Sequence, residues 1–154
     1  MSSHTGIAGG KQYNEKGSGT NPLCLTRKPE FDDTLVSRTH HANIYGAGYE
    51  LGNHGDRDVP CSVCGVPQST TIMVPGTHTC PQGWTAQYTG HMASQHQHYY
   101  ATEFVCLDAH PEDESSVAID DNGYLFYYAT AQCGSLPCPP YVGGKVVRCV
   151  VCSK

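Results

Sequence analysis

Nine cysteines in a chain of 154 residues constrain the fold more than any other feature. They recur in two similar patterns, the first ending at Cys61-Ser-Val-Cys64 and the second at Cys149-Val-Val-Cys152. Upstream, Cys24 and Cys106 are each followed by leucine, and each pattern begins with a Thr-Gly pair. Because cysteine-dense small chains belong to oxidising compartments, these patterns predict a secreted, extracellular protein held together by disulfides.

The composition shows why such cross-links are needed. Only 38% of the residues are hydrophobic, and that fraction already includes the cysteines. A core this small is marginal by itself, whereas each disulfide contributes about 2–4 kcal/mol by restricting the unfolded chain. No stretch reaches the roughly 18 apolar residues that a membrane span needs. No basic run is present either, so we expect neither membrane nor nucleic acid as a partner.

The cysteine spacing divides the chain into two related repeats, 1–65 and 66–154, which we expect to form one compact unit. The second repeat carries an insertion around Cys133 and Cys138. It opens with a strand-like segment and Cys80, whereas the first lacks an equivalent cysteine-bearing strand. One thiol is then free or pairs with another chain; alternatively, Cys80 is simply unmatched. The start Met1-Ser-Ser-His has no signal-peptide character, so we expect a removed leader or an incomplete N-terminus.

Strand signals are stronger than helix signals along the chain. Helical periodicity is absent, and glycine and proline interrupt the sequence about every ten residues. Segments rich in Val, Ile, Thr, Tyr and Phe predict strands at 70–74, 84–88, 99–107, 124–130 and 145–152. Asp121-Asn122-Gly123 predicts a tight turn or hairpin, and 8–22 and 108–118 have the composition of exposed loops. The predicted fold is therefore all-β, small, disulfide-rich and loop-rich, with short antiparallel strands.

Strand geometry bears on how the cysteines pair. In a strand, residues i and i+3 lie about 10 Å apart and on opposite faces, but the Cα atoms of a disulfide lie within about 7 Å. Each cysteine of a Cys-x-x-Cys pair should therefore reach a different partner. Zinc and redox dithiol roles are disfavoured because the two pairs are far apart and no βαβ pattern surrounds them. Candidates for disulfides are Cys24, Cys61, Cys64, Cys80, Cys106, Cys133, Cys138, Cys149 and Cys152.

Two details of the pairing follow, although the full connectivity stays open. Cys133 and Cys138 flank a Gly-Ser-Leu-Pro turn, which suits a local disulfide. Cys80 and Cys106 either pair with each other or each pair with one terminal cysteine.

Histidines are the sharpest chemical feature, with His91, His96 and His98 falling within eight residues. On a strand, His96 and His98 would share a face, which suits a pair of zinc or copper ligands. The same array could contact a mineral or a polymeric anion, or simply be solvated. His40, His41 and His54 are further contact candidates without ligand spacing. No metal site or cofactor is predicted. Protonating all nine histidines would change the net charge from −5 to +4.

The sequence does not indicate an enzyme. A nucleophilic cysteine needs a helix N-terminus or a fixed base beside it, and no Gly-x-Ser-x-Gly elbow is present. Glu50, Asp56 and Asp58 offer oxygen ligands for calcium, but the twelve-residue calcium-loop pattern is missing.

Four blocks resemble a known family: 58–64 (Asp-Val-Pro-Cys-Ser-Val-Cys), 79–84 (Thr-Cys-Pro-Gln-Gly-Trp), 101–108 (Ala-Thr-Glu-Phe-Val-Cys-Leu-Asp) and 133–141 (Cys-Gly-Ser-Leu-Pro-Cys-Pro-Pro-Tyr). Over about residues 4–154 the chain is similar to the cysteine-rich, non-collagenous domain of invertebrate short-chain collagen-like proteins, the spongin-like group of sponges. An additional Thr-Cys-Pro segment that usually opens the first repeat in that family is absent here. No Gly-X-Y run is present, so this chain forms no triple helix. The resemblance implies a matrix or skeletal setting and no catalytic residue.

Together these features predict a structural scaffold that packs against copies of itself, with other matrix or skeletal proteins and silica as further partners. Ten tyrosines suit dense lateral contacts because each buries area and keeps a polar tip. The alternative is an extracellular recognition module for glycans or metal ions, in which Trp84 and the tyrosines would stack on sugars.

Overall fold

A computed structural model describes residues 3–34, 39–52, 55–113 and 122–154, and every regular element in these ranges is a β-strand. The strands are β1 (Ser3–Gly10), β2 (Leu23–Thr26), β3 (Tyr45–Tyr49), β4 (Arg57–Asp58), β5 (Pro60–Cys64), β6 (Thr71–Pro75), β7 (Thr85–Ser94), β8 (Val105–Asp108), β9 (Tyr124–Tyr128) and β10 (Arg148–Ser153). The predicted all-β, disulfide-rich fold is confirmed. Among the described residues, no helix has the length and apolarity that a membrane crossing requires.

The chain divides into two compact units. Unit 1 consists of Met1–Gly65, Gln95–Glu103 and Glu112–Phe126, and unit 2 of Val66–Ser94, Phe104–Pro111 and Tyr127–Lys154. Residues 95–103 and 112–126, which the sequence places in the second repeat, belong to unit 1. The amides of Tyr100 and Glu103 donate to the carbonyls of Tyr13 and Thr20, which joins the first of these segments to the start of the chain.

Unit 1 is built around β1, which pairs antiparallel with β2, β3 and β5. β3 also pairs antiparallel with β4 and parallel with residues 124–126 of β9. Its buried hydrophobic side chains are Ala8, Ala47, Tyr49, Leu51, Val59, Tyr124, Leu125 and Phe126. Small residues in β1 allow this packing, since a Cβ on Gly10 would lie 2.3 Å from Cδ2 of Tyr124.

Unit 2 is built around β7, which pairs antiparallel with β8, with β10 and, at residues 93–94, with residues 127–128 of β9. β6 adds a further antiparallel strand on the other edge of β10. Its buried hydrophobic residues are Met92, Ala93, Ala131, Cys149, Val150 and Cys152. Two of these six are disulfide cysteines, so the cross-links form part of the core itself.

The two units share one strand register around a central glycine. In unit 1, Gly6 pairs with Thr26, two residues after Cys24, and with Cys61. In unit 2, Gly90 pairs with the residue two after Cys106 and with Cys149. β1, β2 and β5 therefore correspond to β7, β8 and β10, and β6 has no counterpart among the described strands of unit 1. The structure shows this matching strand register, whereas duplication of the sequence stays a prediction.

Individual elements agree with the sequence to different degrees. β6, β9 and β10 lie within one to three residues of predicted strands. Asn122 and Gly123 have left-handed backbone conformations, at φ 48° and 128°. Asp121 lies outside the described residues. The predicted strand 99–107 is wrong in its first half, because only 105–108 pairs with β7. The predicted exposed loop 8–22 is wrong at its start, where residues 8–11 are buried.

Candidate functional site

Four disulfides cross-link the described residues: Cys24–Cys61, Cys80–Cys152, Cys106–Cys149 and Cys133–Cys138, with Cα–Cα distances of 5.7–6.0 Å. The two terminal cysteines reach different partners, as strand geometry requires. Cys80 and Cys106 each pair with one terminal cysteine, and the local 133–138 bridge is present. Cys64, exposed at the end of β5, is a free thiol.

In each unit one disulfide passes over the central glycine. A Cβ on Gly6 would lie 2.9 Å from Sγ of Cys24 and 3.2 Å from Sγ of Cys61. A Cβ on Gly90 would lie 3.1 Å from Sγ of Cys106 and only 1.9 Å from the carbonyl oxygen of Leu107. The missing side chain thus leaves space for a bridge between the two strands that flank the central one.

A second feature in unit 1 is a tyrosine–histidine cluster, formed by Tyr13, His96, His98, Tyr99 and Tyr100. The amide of His98 donates to Nδ1 of His96 at 3.2 Å, and the amide of Tyr99 donates to the carbonyl of His96 at 3.0 Å. Ring centroids of His96 lie 5.3 Å from those of both His98 and Tyr99. His96 and His98 do not lie on a strand, the case in which they would share a face; they meet in a turn after β7.

Backbone contacts hold this cluster on the 11–20 segment of unit 1. Tyr13 and Tyr99 pack edge to face with centroids 4.8 Å apart, and the amide of Tyr100 donates to the carbonyl of Tyr13. Lys11 is only 2% exposed; its Nζ donates to the carbonyl of Glu15 at 2.9 Å and lies 5.5 Å from the Tyr100 ring. The buried ammonium of Lys11 thus has a carbonyl acceptor and an aromatic face as partners, and the attraction to the face holds the Tyr100 ring in place.

Near the cluster, a carbonyl that Tyr124 and Glu103 share joins the 11–20 segment to the 95–103 segment. The hydroxyl of Tyr124 donates to the carbonyl of Thr20 at 3.0 Å, and the same carbonyl accepts the amide of Glu103 at 3.2 Å. Burial raises the pKa of Tyr124, and the Glu103 carboxylate raises it further, whereas a hydrogen bond with Thr102 lowers it. The phenol therefore stays a neutral donor over a wide pH range.

The cluster presents rings and imidazoles to solvent. Tyr99 and Tyr100 are 42% and 41% exposed, His98 is exposed and His96 is half-buried. Phenols and imidazoles at these spacings can stack on a flat ligand or exchange protons and hydrogen bonds with an oxyanion surface. In the ranges that the structure describes, no group of three His, Cys, Asp or Glu side chains could hold a metal.

Three of the other predicted histidines, His40, His41 and His91, lie in described segments outside the tyrosine–histidine cluster. His91 belongs to unit 2, where its ring packs edge-on against Tyr128 at 5.3 Å. Its buried Nδ1 has no hydrogen-bond partner among the described residues. His40 and His41 are exposed, with Nδ1 of His40 2.9 Å from the Thr39 hydroxyl. His54 lies outside the described residues.

The three acids considered as calcium ligands, Glu50, Asp56 and Asp58, do line one depression of unit 1. Arg57 lines it too, and its Nη1 lies 3.2 Å from both carboxylate oxygens of Asp113. The cavity volume is about 10 Å³, the space of about one water molecule. Ligand pockets typically measure about 300–1,000 Å³, so this depression does not fit an organic substrate.

Sequence reasoning missed Lys11 and Tyr13, which it placed in an exposed loop. Their roles depend on contacts with residues 99–103, almost ninety positions away, and no local pattern encodes such contacts. Trp84, the predicted sugar-stacking residue, is half-buried in unit 2, where its amide closes a turn to the carbonyl of Pro81.

Set beside known proteins, the chain matches no family model and no solved structure. Its class is therefore defined by its own features: a small all-β protein with four disulfides, one within unit 1 and three within unit 2. Such cross-linking is consistent with a secreted protein.

Proposed function

We propose that this protein is a non-enzymatic, extracellular structural component of a matrix or skeleton. One observation carries the proposal: disulfides that run through the strand framework rigidify both units, while aromatic and imidazole side chains face solvent. Rigid elements that display aromatic side chains lose little entropy on association. A scaffold needs this combination more than it needs a deep cavity.

Self-association is the first consequence. Exposed phenols of Tyr99 and Tyr100 can bury area against a second molecule and keep their hydroxyls hydrogen-bonded. Analytical ultracentrifugation of the pure protein over a wide concentration range should show reversible assembly without added ligand, weakened in a Tyr99→Ser/Tyr100→Ser variant. A monomer at every concentration would contradict the scaffold role.

Silica is the mineral partner proposed for this scaffold. Neutral imidazole accepts protons from silanols and imidazolium pairs with silicate oxygens, and both forms exist near neutral pH. We expect silicic acid to condense faster with the protein than without it, at about pH 6 and about pH 8. Replacing His96 and His98 by glutamine should reduce the rate, whereas the matched His40→Gln/His41→Gln variant should retain most of it. If neither pH shows a rate above that of a histidine-poor protein of similar charge, silica is not the partner.

The alternative function is an extracellular recognition module for glycans or metal ions. The tyrosine–histidine cluster favours the glycan form, since exposed rings beside fixed polar groups are suited to stacking on sugars. A glycan array discriminates the two functions: binding to a narrow set of saccharides that Tyr99→Ala abolishes favours recognition. The metal form needs ligands beyond the His96–His98 pair, and native mass spectrometry with added Zn²⁺ tests for a bound ion.

A further inference from the structure

Within the described part of the chain, a strand edge that is open in unit 1 corresponds to an edge that is covered in unit 2. β5 and β10 occupy equivalent positions, each antiparallel to the central strand of its unit. β10 is also paired along residues 149–153 by β6. Among the described residues, the pairing of β5 is with β1 alone, so the backbone groups of 61–64 on its outer side form an unfilled edge. Such an edge is a template for another strand.

Burial differs between the two strands as this pairing predicts. Val150 and Cys152 in β10 are 0% exposed. Counted along each strand from Cys149 and Cys61, their counterparts are Ser62 and Cys64, which are both exposed, and Val63 is 47% exposed. β5 carries no charged side chain that would repel a further strand, although edges are usually protected by charge.

The cysteines differ in the same way. In unit 2, Cys152 pairs in register with Ile72 of β6 and forms a disulfide with Cys80, eight residues further along. The equivalent thiol in unit 1, Cys64, is free and exposed. An unpaired edge and an unbonded thiol therefore coincide at the place where unit 2 holds a strand and a disulfide.

From this coincidence we infer that the β5 edge is a docking site for an extended strand of a partner polypeptide. The partner strand is uncharged and rich in β-branched residues, as β6 is, and runs antiparallel to β5. It carries a cysteine eight residues after the residue that lies opposite Cys64. The site goes beyond the proposed scaffold function and does not depend on silica or on the tyrosine–histidine cluster.

Thiol–disulfide exchange closes the bond without an external oxidant. The partner cysteine arrives as a mixed disulfide with a small thiol. The Cys64 thiolate attacks the sulfur of the partner cysteine, the new interchain disulfide forms, and the small thiol leaves as its thiolate. One disulfide is consumed and one is formed, so electrons balance.

A peptide of residues 69–84 of this chain is the probe, because it contains β6 and Cys80 in the required spacing. Its cysteine is joined to 5-thio-2-nitrobenzoate, whose release is followed by absorbance. We expect release at least about tenfold faster than from a matched peptide with Ile72→Pro and Val74→Pro, which cannot donate ladder hydrogen bonds. Cysteine carrying the same leaving group should react no faster than the proline peptide.

The product identifies the site. Peptide mapping should find the new bond at Cys64 and not at Cys152, and Cys64→Ser protein should release nothing. That variant, mixed with a Cys80→Ser peptide, should still show slowed amide hydrogen exchange at 61–64. Equal rates for the native and proline peptides would overturn the inference, as would a Cys64–Cys64 dimer as the main product. Either result leaves the self-association and silica tests unaffected.

Discussion

At the scale of single residues, the glycine beneath each strand-crossing disulfide is the most demanding position. Gly90→Ala places a methyl group 1.9 Å from the Leu107 carbonyl oxygen and 3.1 Å from Sγ of Cys106. We expect it to destabilise unit 2 by about 3 kcal/mol or more, or to prevent the 106–149 disulfide from forming. Urea denaturation and a non-reducing peptide map measure both effects.

The matched control for this substitution is Gly46→Ala in β3. A Cβ there meets nothing within 4 Å. The free energy of unfolding of this variant should therefore lie within about 0.5 kcal/mol of that of the native protein. Equal losses for the two variants would show that an added Cβ is costly in these strands in general, and that the disulfide crossing does not set the requirement for glycine.

Tyr124 gives a pH-dependent prediction. Its pKa is raised above the ordinary value of 10.0, chiefly by burial, so the unfolded chain ionises first as pH rises. The stabilisation is complete below pH 10 and is lost between the unfolded pKa and the raised folded pKa, with a slope of about 1.4 kcal/mol per pH unit. Because Tyr124→Phe removes the hydrogen bond to Thr20, its free energy of unfolding at neutral pH should be about 1 kcal/mol lower. Above pH 10 its stability should fall less steeply than that of the native protein.

Denaturation midpoints measured from about pH 7 to pH 11 test this slope. The matched control is Tyr99→Phe, which removes an exposed phenol instead of a buried one. An alkaline slope unchanged in Tyr124→Phe would mean that other groups control it. Tyr88 is the first of these, because burial and the Asp108 carboxylate raise its pKa as well.

At the scale of elements, the attachment of β6 to β10 depends on a buried hydroxyl. The Ser153 hydroxyl, 0% exposed, accepts from Nε2 of Gln87 at 2.7 Å and donates to Oε1 of Gln68 at 3.1 Å. Ser153→Ala leaves both amides without this partner and should cost about 1–2 kcal/mol. Faster hydrogen exchange in β6 should accompany the loss. Ser135→Ala, in the exposed 133–138 loop, is the control and should change neither quantity.

The predictability of each strand follows from its side chains. β6, β9 and β10 contain Val, Ile, Tyr and Phe, and the sequence located them within a few residues. β1 reads Ser-His-Thr-Gly-Ile-Ala-Gly-Gly, whose small residues have low strand propensity. It is nevertheless the central strand of unit 1, because glycines allow a disulfide and the Tyr124 ring to pack against it. Strand propensity contains no information about such tertiary contacts.

The candidate site was predictable to the extent that it depended on local geometry. The rule that i and i+3 cysteines in a strand reach different partners anticipated the bonds of Cys149 and Cys152, and the odd count anticipated a free thiol. Which thiol stays free was not predictable, because it depends on strand pairing: among the described residues, β5 pairs with β1 alone. The proximity of His96 and His98 was expected from a strand but arises from a turn.

At the scale of the whole molecule, covalent links take the place of a large hydrophobic core, and they should not contribute equally. The 133–138 disulfide closes a sequence separation of 5, whereas 24–61 closes 37. Loop-closure entropy then predicts that replacing the 133–138 pair by serine lowers the free energy of unfolding by about 2 kcal/mol, and that replacing the 24–61 pair lowers it by about 4 kcal/mol. Replacing Cys64 by serine in every variant prevents exchange with the free thiol.

Chemical denaturation of the two double variants measures this ranking. We expect Cys133→Ser/Cys138→Ser to remain folded with a modestly lower midpoint, because both cysteines are exposed and bury no core. Cys24→Ser/Cys61→Ser should unfold at a markedly lower denaturant concentration, and full reduction should abolish cooperative unfolding altogether. A fully reduced chain that retains its cooperative transition would show that the noncovalent core suffices, and the structural role of the disulfides would then be lost.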